Sequence, residues 1–409
     1  MNDVKWYMDN KLTHQLHTSE RKAFRACRRR WDWVYRDMYY PIVTPGPLEF
    51  GVAFHKAMEF FYEPRTWLAE PYVRRDLALV AFRRECESQM KRYRKIDPDP
   101  DVEILKDYQD RIELGLNMIR YYCNEVAPGY DRGFTPVRVE VPFEVELTDP
   151  DTMEQLWCKC DQCWKRWTNA ANNKQIKLRI ESDVDIFEPW RGLPVTYGGR
   201  LDMLAQDHLE RYWIFDWKTT ARMLDEDAEA SFLTLDDQIT SYCWALAKLG
   251  IHVSGFVYVE IKKAYPQSPR VLEKKYKGRL VSTDRQFLTN EKLFMETVRH
   301  ADMDGWQMGL YDSYLEWLRV EGPRFTQRHQ IHRNIHEIAS AGNNISWEAM
   351  DMTGSPRVYP QPGRFSCNWC LFKQPCIGKN ANEDYTYTLS SMFEKKKYHY
   401  WEDEQPSTE

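Results

Sequence analysis

The segment YGGRLDMLAQDHLERYWIFDWKTT, residues 197–220, constrains this chain more than any other stretch. Two apolar runs flank the short polar link DHLE, so an antiparallel hairpin is expected. Side chains alternate faces along a strand, which puts Trp213, Phe215 and Trp217 on one side and Asp216 with Lys218 on the other. Asp202 lies in the first strand between Leu201 and Met203, and the hairpin brings it toward Asp216 at the same end of the sheet. Ionised groups on mostly buried strands are costly unless something uses them. Lys218 offsets Asp216, so a buried structural ion pair is the plain alternative. Two carboxylates converging in a poorly solvated place repel unless a cation stands between them, and hard oxygen ligands favour Mg²⁺ or Mn²⁺.

The remaining segments supply a frame. A basic amphipathic stretch opens residues 17–40, and LEFGVAFHKAMEFFYE then places Phe50, Phe54, Met58 and Phe61 at helical spacing. Helices are predicted at about 70–95 and 101–126, separated by DPDPD. Texture turns to strand at 136 in PVRVEVPFEVEL, breaks for a polar, turn-rich insertion over 148–176, and returns in KLRIESDV and the hairpin. TLDDQITSYCWALAKLG reads as a helix stopped by Gly250, HVSGFVYVEIKK as a strand, and 284–320 as helical. His329, His332 and His336 are spaced to share a helical face, as neutral surface histidines rather than a metal site. The charged tail EKKKYHYWEDEQPSTE is expected to be disordered. Helices, then strands with one helix before the last, then helices fit an α/β (α+β) mixed sheet flanked by helices.

A formal charge of −5 does not advertise a nucleic-acid binder, although a local patch matters more than the sum. No apolar run approaches the roughly 20 residues that cross a bilayer. The N-terminus lacks the apolar region of a signal peptide, so a cytoplasmic location is expected. There, ten cysteines point to metal ligands more than to disulfides. Cys86, Cys123 and Cys243 sit alone in helical patterns and read as small core residues. Cys367-x2-Cys370-x5-Cys376 is ligand-like, but zinc and iron–sulfur both want four thiolates and spacing does not name the fourth. Cys158, Cys160 and Cys163, with Trp157, Trp164 and Trp167 around them, look like half a zinc knuckle; a structural Zn²⁺ site and reduced thiols in a surface loop both fit. Arg28, Arg29 and Arg30 are candidate DNA phosphate contacts with Trp31 and Trp33 as stacking planes, or a solvated basic face.

Gly199-Arg-Leu-Asp202 followed by Asp216-Trp-Lys218 resembles motifs II and III of the PD-(D/E)XK nuclease superfamily, in its RecB-like exonuclease branch. Gln238 and Tyr242 match that branch's Q-x-x-x-Y pattern, and Gly51-Val-Ala-Phe-His55 resembles its G-x-x-x-H helix. The resemblance implies a restriction-endonuclease-like mixed-sheet core with a helical insert. It implies Mg²⁺ or Mn²⁺ on His55, Asp202, Asp216 and the carbonyl of Trp217, a catalytic Lys218, and Gln238 with Tyr242 in support. Glu140 resembles an acid found early in such cores, without an assignable role. Hydrolysis of single-stranded or end-bearing DNA in recombination, repair or phage genome processing would follow; the alternative is a catalytically silent nuclease-fold module that binds DNA or protein.

Relatives that carry an iron–sulfur cluster, AddB-like and CRISPR-associated exonucleases among them, place one cysteine near the N-terminus and three near the C-terminus. By that resemblance a 4Fe–4S cluster would sit on Cys27, Cys367, Cys370 and Cys376. The overall texture is also similar to bacteriophage-encoded nucleases. The expected division is an N-terminal segment (1–46) giving one cluster cysteine, a helical region with the histidine motif (47–130), the nuclease core (131–283), a second helical region (284–350), the cysteine motif (351–380) and the tail (381–409).

Overall fold

The computed structural model describes residues 3–42, 46–172, 190–224, 230–354 and 356–396. KLRIESDV and the tail beyond 396 lie outside them. Helix α1 (Asp3–Asp9), strand β1 (His14–Leu16), helix α2 (Thr18–Ala26) and strand β2 (Tyr39–Pro41) begin the chain. A helical layer follows in α3 (Gly46–Phe61), α4 (Pro71–Ile96) and α5 (Val102–Tyr121). Pro71 opens α4, where its missing N–H costs nothing. Next come β3 (Phe134–Glu146), β4 (Trp157–Cys158), α6 (Asp161–Asn172), β5 (Leu193–Asp207), β6 (Tyr212–Thr220), α7 (Asp237–Lys248) and β7 (Val253–Lys262). A small hairpin of β8 (Val271–Tyr276) and β9 (Arg279–Val281) precedes α8 (Glu291–Ala301) and α9 (Asp312–Val320). The chain then runs through β10 (Thr326–Ile331), α10 (Ile335–Thr353), α11 (Lys373–Asn380), α12 (Tyr385–Met392) and β11 (Phe393–Lys395).

Among the described residues the main sheet has seven strands, with β5 at its centre. β5 pairs antiparallel with β3, β4 and β6 and parallel with β1; β6 pairs parallel with β7, whose far edge takes β10 antiparallel. α7 makes the β6-to-β7 crossover that parallel neighbours require. On one face Met203, Ala205, Trp213, Phe215, Trp217 and Val259 pack against α3, α4 and α5 through Phe54, Met58, Phe82 and Ile119. On the other, Leu204, Ile214 and Phe256 pack against α7 and α10 through Ile239, Leu246 and Ile345. A sheet covered on both faces is why β6 opens with the unbroken apolar run Tyr212 to Phe215.

Three segments fold otherwise than their sequence suggests. The insertion is no turn-rich surface loop: β4 and α6 bury Cys158, Cys163 and Ala170 in the main core. Its tryptophans supply the apolar surface, with Trp157 and Trp167 against Tyr7 of α1. His329, His332 and His336 share no helical face, because His329 lies on β10 opposite Tyr258 while His336 starts α10. Backbone pairing with β7 overrides the local spacing there. Trp31 and Trp33 are no stacking planes, each being only 2 % exposed. Trp31 packs on Phe24 and donates to Glu20, while Trp33 meets Phe372 and Tyr385.

The chain's two ends meet. β2 pairs antiparallel with β11, and Trp33, Phe372, Leu389 and Phe393 form a satellite core beneath. Arg21, fully buried, ties α2 to α7 and α10 through Asp237 at 3.1 Å, Ser241 at 3.0 Å and Glu348 at 2.6 Å. Removing the guanidinium strands two partly buried carboxylates, so Arg21→Ala is expected to cost roughly 2–4 kcal/mol. A urea midpoint unmoved in that variant would show that the half-exposed Arg25 suffices. Burial pushes His17 down to about 4 against one hydrogen bond to the Gly198 backbone. That stability is complete above its ordinary value of 6.5 and is lost as pH falls toward 4. In His17→Gln this part of the acid sensitivity should disappear from the pH dependence of thermal unfolding.

Candidate active site

The β5–β6 ladder ends at the pair Met203 and Phe215. Beyond it the Trp217 N–H donates to Asp202 Oδ2 at 3.0 Å, so a carboxylate takes the place of a strand carbonyl. The strands part there, and Asp202 and Asp216 face the opening. Gly199 is required nearby, since a Cβ would stand 2.6 Å from Phe143 and 3.4 Å from Tyr242.

Helices from both faces converge on this point. From α3, His55 Nδ1 lies 3.0 Å from Asp202 Oδ2. From α7, Gln238 Nε2 donates to Asp216 Oδ1 at 3.5 Å, and Lys218 Nζ donates to the same oxygen at 2.9 Å. Gln238 also bonds the Tyr242 hydroxyl, whose ring meets Phe143 edge-on. Glu140 on β3 falls opposite Asp202, between the pairs Val139–Met203 and Val141–Leu201. Its backbone is left-handed, with φ of 47°. Non-glycine residues held this way concentrate at functional sites.

Asp216 is only 4 % exposed, and its Oδ2 is buried without a hydrogen-bond partner. Burial raises the Asp216 carboxyl and Asp202 adds to the effect, against the pull of Lys218. Burial would raise Asp202 as well, but His55, Lys218 and the Trp217 N–H hold it below the ordinary range. Desolvation opposes the charge on His55 and Lys218, yet both are raised, His55 by Asp202 and Lys218 by Asp216 with Asp202. Glu140 is pushed up to about 7 by burial, then by Asp202 and Glu59. Carboxylates at close quarters divide in this way, one held down and its neighbours pushed up. The orphaned buried oxygen of Asp216, with the Asp202 carboxylate and the His55 imidazole near it, fits a hard divalent cation.

His55, Asp202, Asp216, Lys218, Gln238 and Tyr242 thus share one site. The Trp217 side chain turns away into the apolar layer, stacking on Tyr62 at 4.9 Å and donating to the Tyr122 hydroxyl. Tyr258 and Glu260, register partners of Asp216 and Lys218 on β7, were not legible in the sequence. Nothing local says which strand lies alongside β6.

Cys27, Cys367, Cys370 and Cys376 lie on the lobe where the chain ends meet. Burial raises the Cys370 thiol, and Cys27 and Cys367 are close enough to add to it. Arg29 reaches Cys376 Sγ at 3.4 Å and Asn380 at 2.7 Å, while Arg28 covers the Phe24 and Tyr359 rings. Of the three arginines only Arg30 is exposed. Cys86, Cys123 and Cys243 are buried, as are Cys158 and Cys163 at 1 % each, which takes the latter two out of a surface loop, while Cys160 is half-buried. Among the described residues no helix is long and apolar enough to cross a membrane.

The family model described as PD-(D/E)XK nuclease superfamily matches residues 16–377. No curated protein matches the chain.

Glycine at position 140 would relieve a left-handed backbone worth roughly 1 kcal/mol and remove a crowded carboxylate. Glu140→Gly should therefore keep or raise the thermal midpoint while weakening the binding of an added divalent cation in isothermal titration. A fall in the midpoint would mean that the 3.4 Å contact with Arg200 holds the strand instead.

Proposed function

The chain belongs to the PD-(D/E)XK nuclease superfamily, and from that premise we propose that it is a Mg²⁺- or Mn²⁺-dependent deoxyribonuclease, an exonuclease on single-stranded or end-bearing DNA. The observation that carries this reading is the unpartnered Asp216 oxygen, buried within reach of Asp202, His55 and Lys218. His55, Asp202 and Asp216, with the Trp217 carbonyl, would hold the ion, which when bound polarises the phosphodiester and lowers the pKa of an attacking water.

The chain's own groups do the rest. Lys218 is kept cationic by Asp216 and Asp202, and its side chain is 37 % exposed toward the opening. It can meet the negative charge that develops on the phosphoryl oxygens, or orient the water. Gln238 fixes the Asp216 carboxylate from α7, and Tyr242 fixes Gln238. Such outer contacts keep ligands from relaxing away from a working geometry.

The lobe holding Cys27, Cys367, Cys370 and Cys376 would carry a 4Fe–4S cluster, in keeping with an AddB-like or CRISPR-associated branch. That Cys27 and Cys367 each lie close enough to Cys370 to raise its thiol supports it. Its binding energy would in part be folding energy for the β2–β11 clasp. Arg30 is the arginine left to meet DNA phosphates. Recombination, repair or phage genome processing in a host cytoplasm is the setting this reading favours.

Anaerobically purified protein should degrade linear DNA labelled at either end with Mn²⁺ or Mg²⁺ and not with chelator. Lys218→Ala, matched in fold and iron content, should lose about 10²–10³ in rate. Equal cutting of a covalently closed duplex and a linear single strand would overturn the exonuclease reading. DNA binding without cleavage would favour a catalytically silent nuclease-fold module. Iron and acid-labile sulfide near zero would refute the cluster.

A further inference from the structure

A second set of ligating side chains converges away from the carboxylates. His14 lies on β1 opposite Val195, and Cys158 lies on β4 opposite Leu193, so the start of β5 joins them. Cys160 immediately precedes α6, and Cys163 is in its first turn. One ligand atom from each of the four lies within 4.8 Å of every other. Cys160 Sγ is 3.5 Å from Cys163 Sγ, which is 3.3 Å from His14 Nδ1. Four ligands around one zinc, with Zn–S of about 2.3 Å, stand about 3.8 Å apart, so a single ion fits the space. An iron–sulfur cluster would interpose its own atoms and drive the ligands further apart. The cysteines are all free, and their donor set is soft, unlike the oxygen-rich set at Asp216.

The surroundings are built for this convergence. Gly192 has φ of 103°, and a Cβ there would meet the Cys158 carbonyl oxygen at 2.6 Å. Only glycine lets β5 begin so close to the cysteine strand. Arg166 of α6 donates to the Thr13 and Lys11 carbonyls, each at 2.7 Å, which holds the segment bearing His14 against the helix bearing Cys163. The Tyr7, Trp157 and Trp167 rings pack beside it. A purely apolar core would have no use for an imidazole and three thiols turned toward one point.

We propose that His14, Cys158, Cys160 and Cys163 form a closed, structural zinc site that staples the first strand to the insertion. Four protein ligands leave no open position, so the ion's part is in folding and not in the reaction. Binding requires the thiols to give up their protons to solvent. β1, three residues long, is thereby anchored beside β5, and with it α2 and the segment leading to Cys27. The proposal does not depend on the nuclease reading.

Metal analysis of the anaerobically purified full chain tests it. One zinc per chain is expected, kept in Cys367→Ser and lost in Cys160→Ser. Growth with Co²⁺ should give the visible bands of a tetrahedral site with three thiolates and one imidazole. His14→Cys should retain the metal and move those bands to the four-thiolate type, which keeps the test open if Cys160→Ser does not fold. Zinc absent from the wild type, zinc unaffected by Cys160→Ser, or cobalt bands unmoved by His14→Cys would each overturn the proposal. So would iron that disappears with Cys160→Ser and not with Cys367→Ser.

Discussion

Where β5 and β6 part, the Trp217 N–H donates to the Asp202 carboxylate, and that one substitution of side chain for strand organises everything around it. Had the ladder continued, residues 202 and 216 would have been closed into a flat sheet. With the ladder ended, an opening forms at the edge of a core buried on both faces. The apolar side of β6 makes the opening sustainable, because Trp217 is locked between Tyr62 and the Tyr122 hydroxyl. The strand can therefore hold Asp216 nearly out of water without shifting to hydrate it.

Two helices reach the opening from opposite layers. α3 brings His55 to Asp202 and α7 brings Gln238 to Asp216, so neither layer could assemble the site alone. α7 is in turn held by Arg21, which spans from α2 to Asp237 and Glu348. The buried guanidinium joins a segment near the chain's start to the helix that supports the site. The β2–β11 pairing closes the same segment onto the C-terminal lobe, so the N-terminal region is fastened at several independent points.

Covalent neighbours explain the two dense cysteine groups only in part. The tight spacings at 158–163 and 367–376 bring thiols together locally, but each group is joined by a residue from far away in the chain. For the C-terminal group, a family resemblance pointed to Cys27, and that thiol lies beside Cys370. For the insertion nothing in the sequence pointed to His14, because β1 meets β5 only after the sheet has formed.

The sequence by itself determined the hairpin, the alternation that sets Asp216 and Lys218 apart from three aromatic neighbours, the helices around 46–121, and the local spacing that puts Gln238 and Tyr242 on one helix face. Periodicity and turn chemistry act over a few residues, and those features need nothing more. The tertiary structure alone decided what long-range pairing controls. It put the polar segment TQRHQI into β10 against β7, turned Trp31 and Trp33 inward, and packed the insertion into the core around its tryptophans. It also set Glu140 against Asp202 with a left-handed backbone and brought His14 to three cysteines. Each of these follows from which surfaces meet once the layers close, and burial against a distant partner outweighs any local preference.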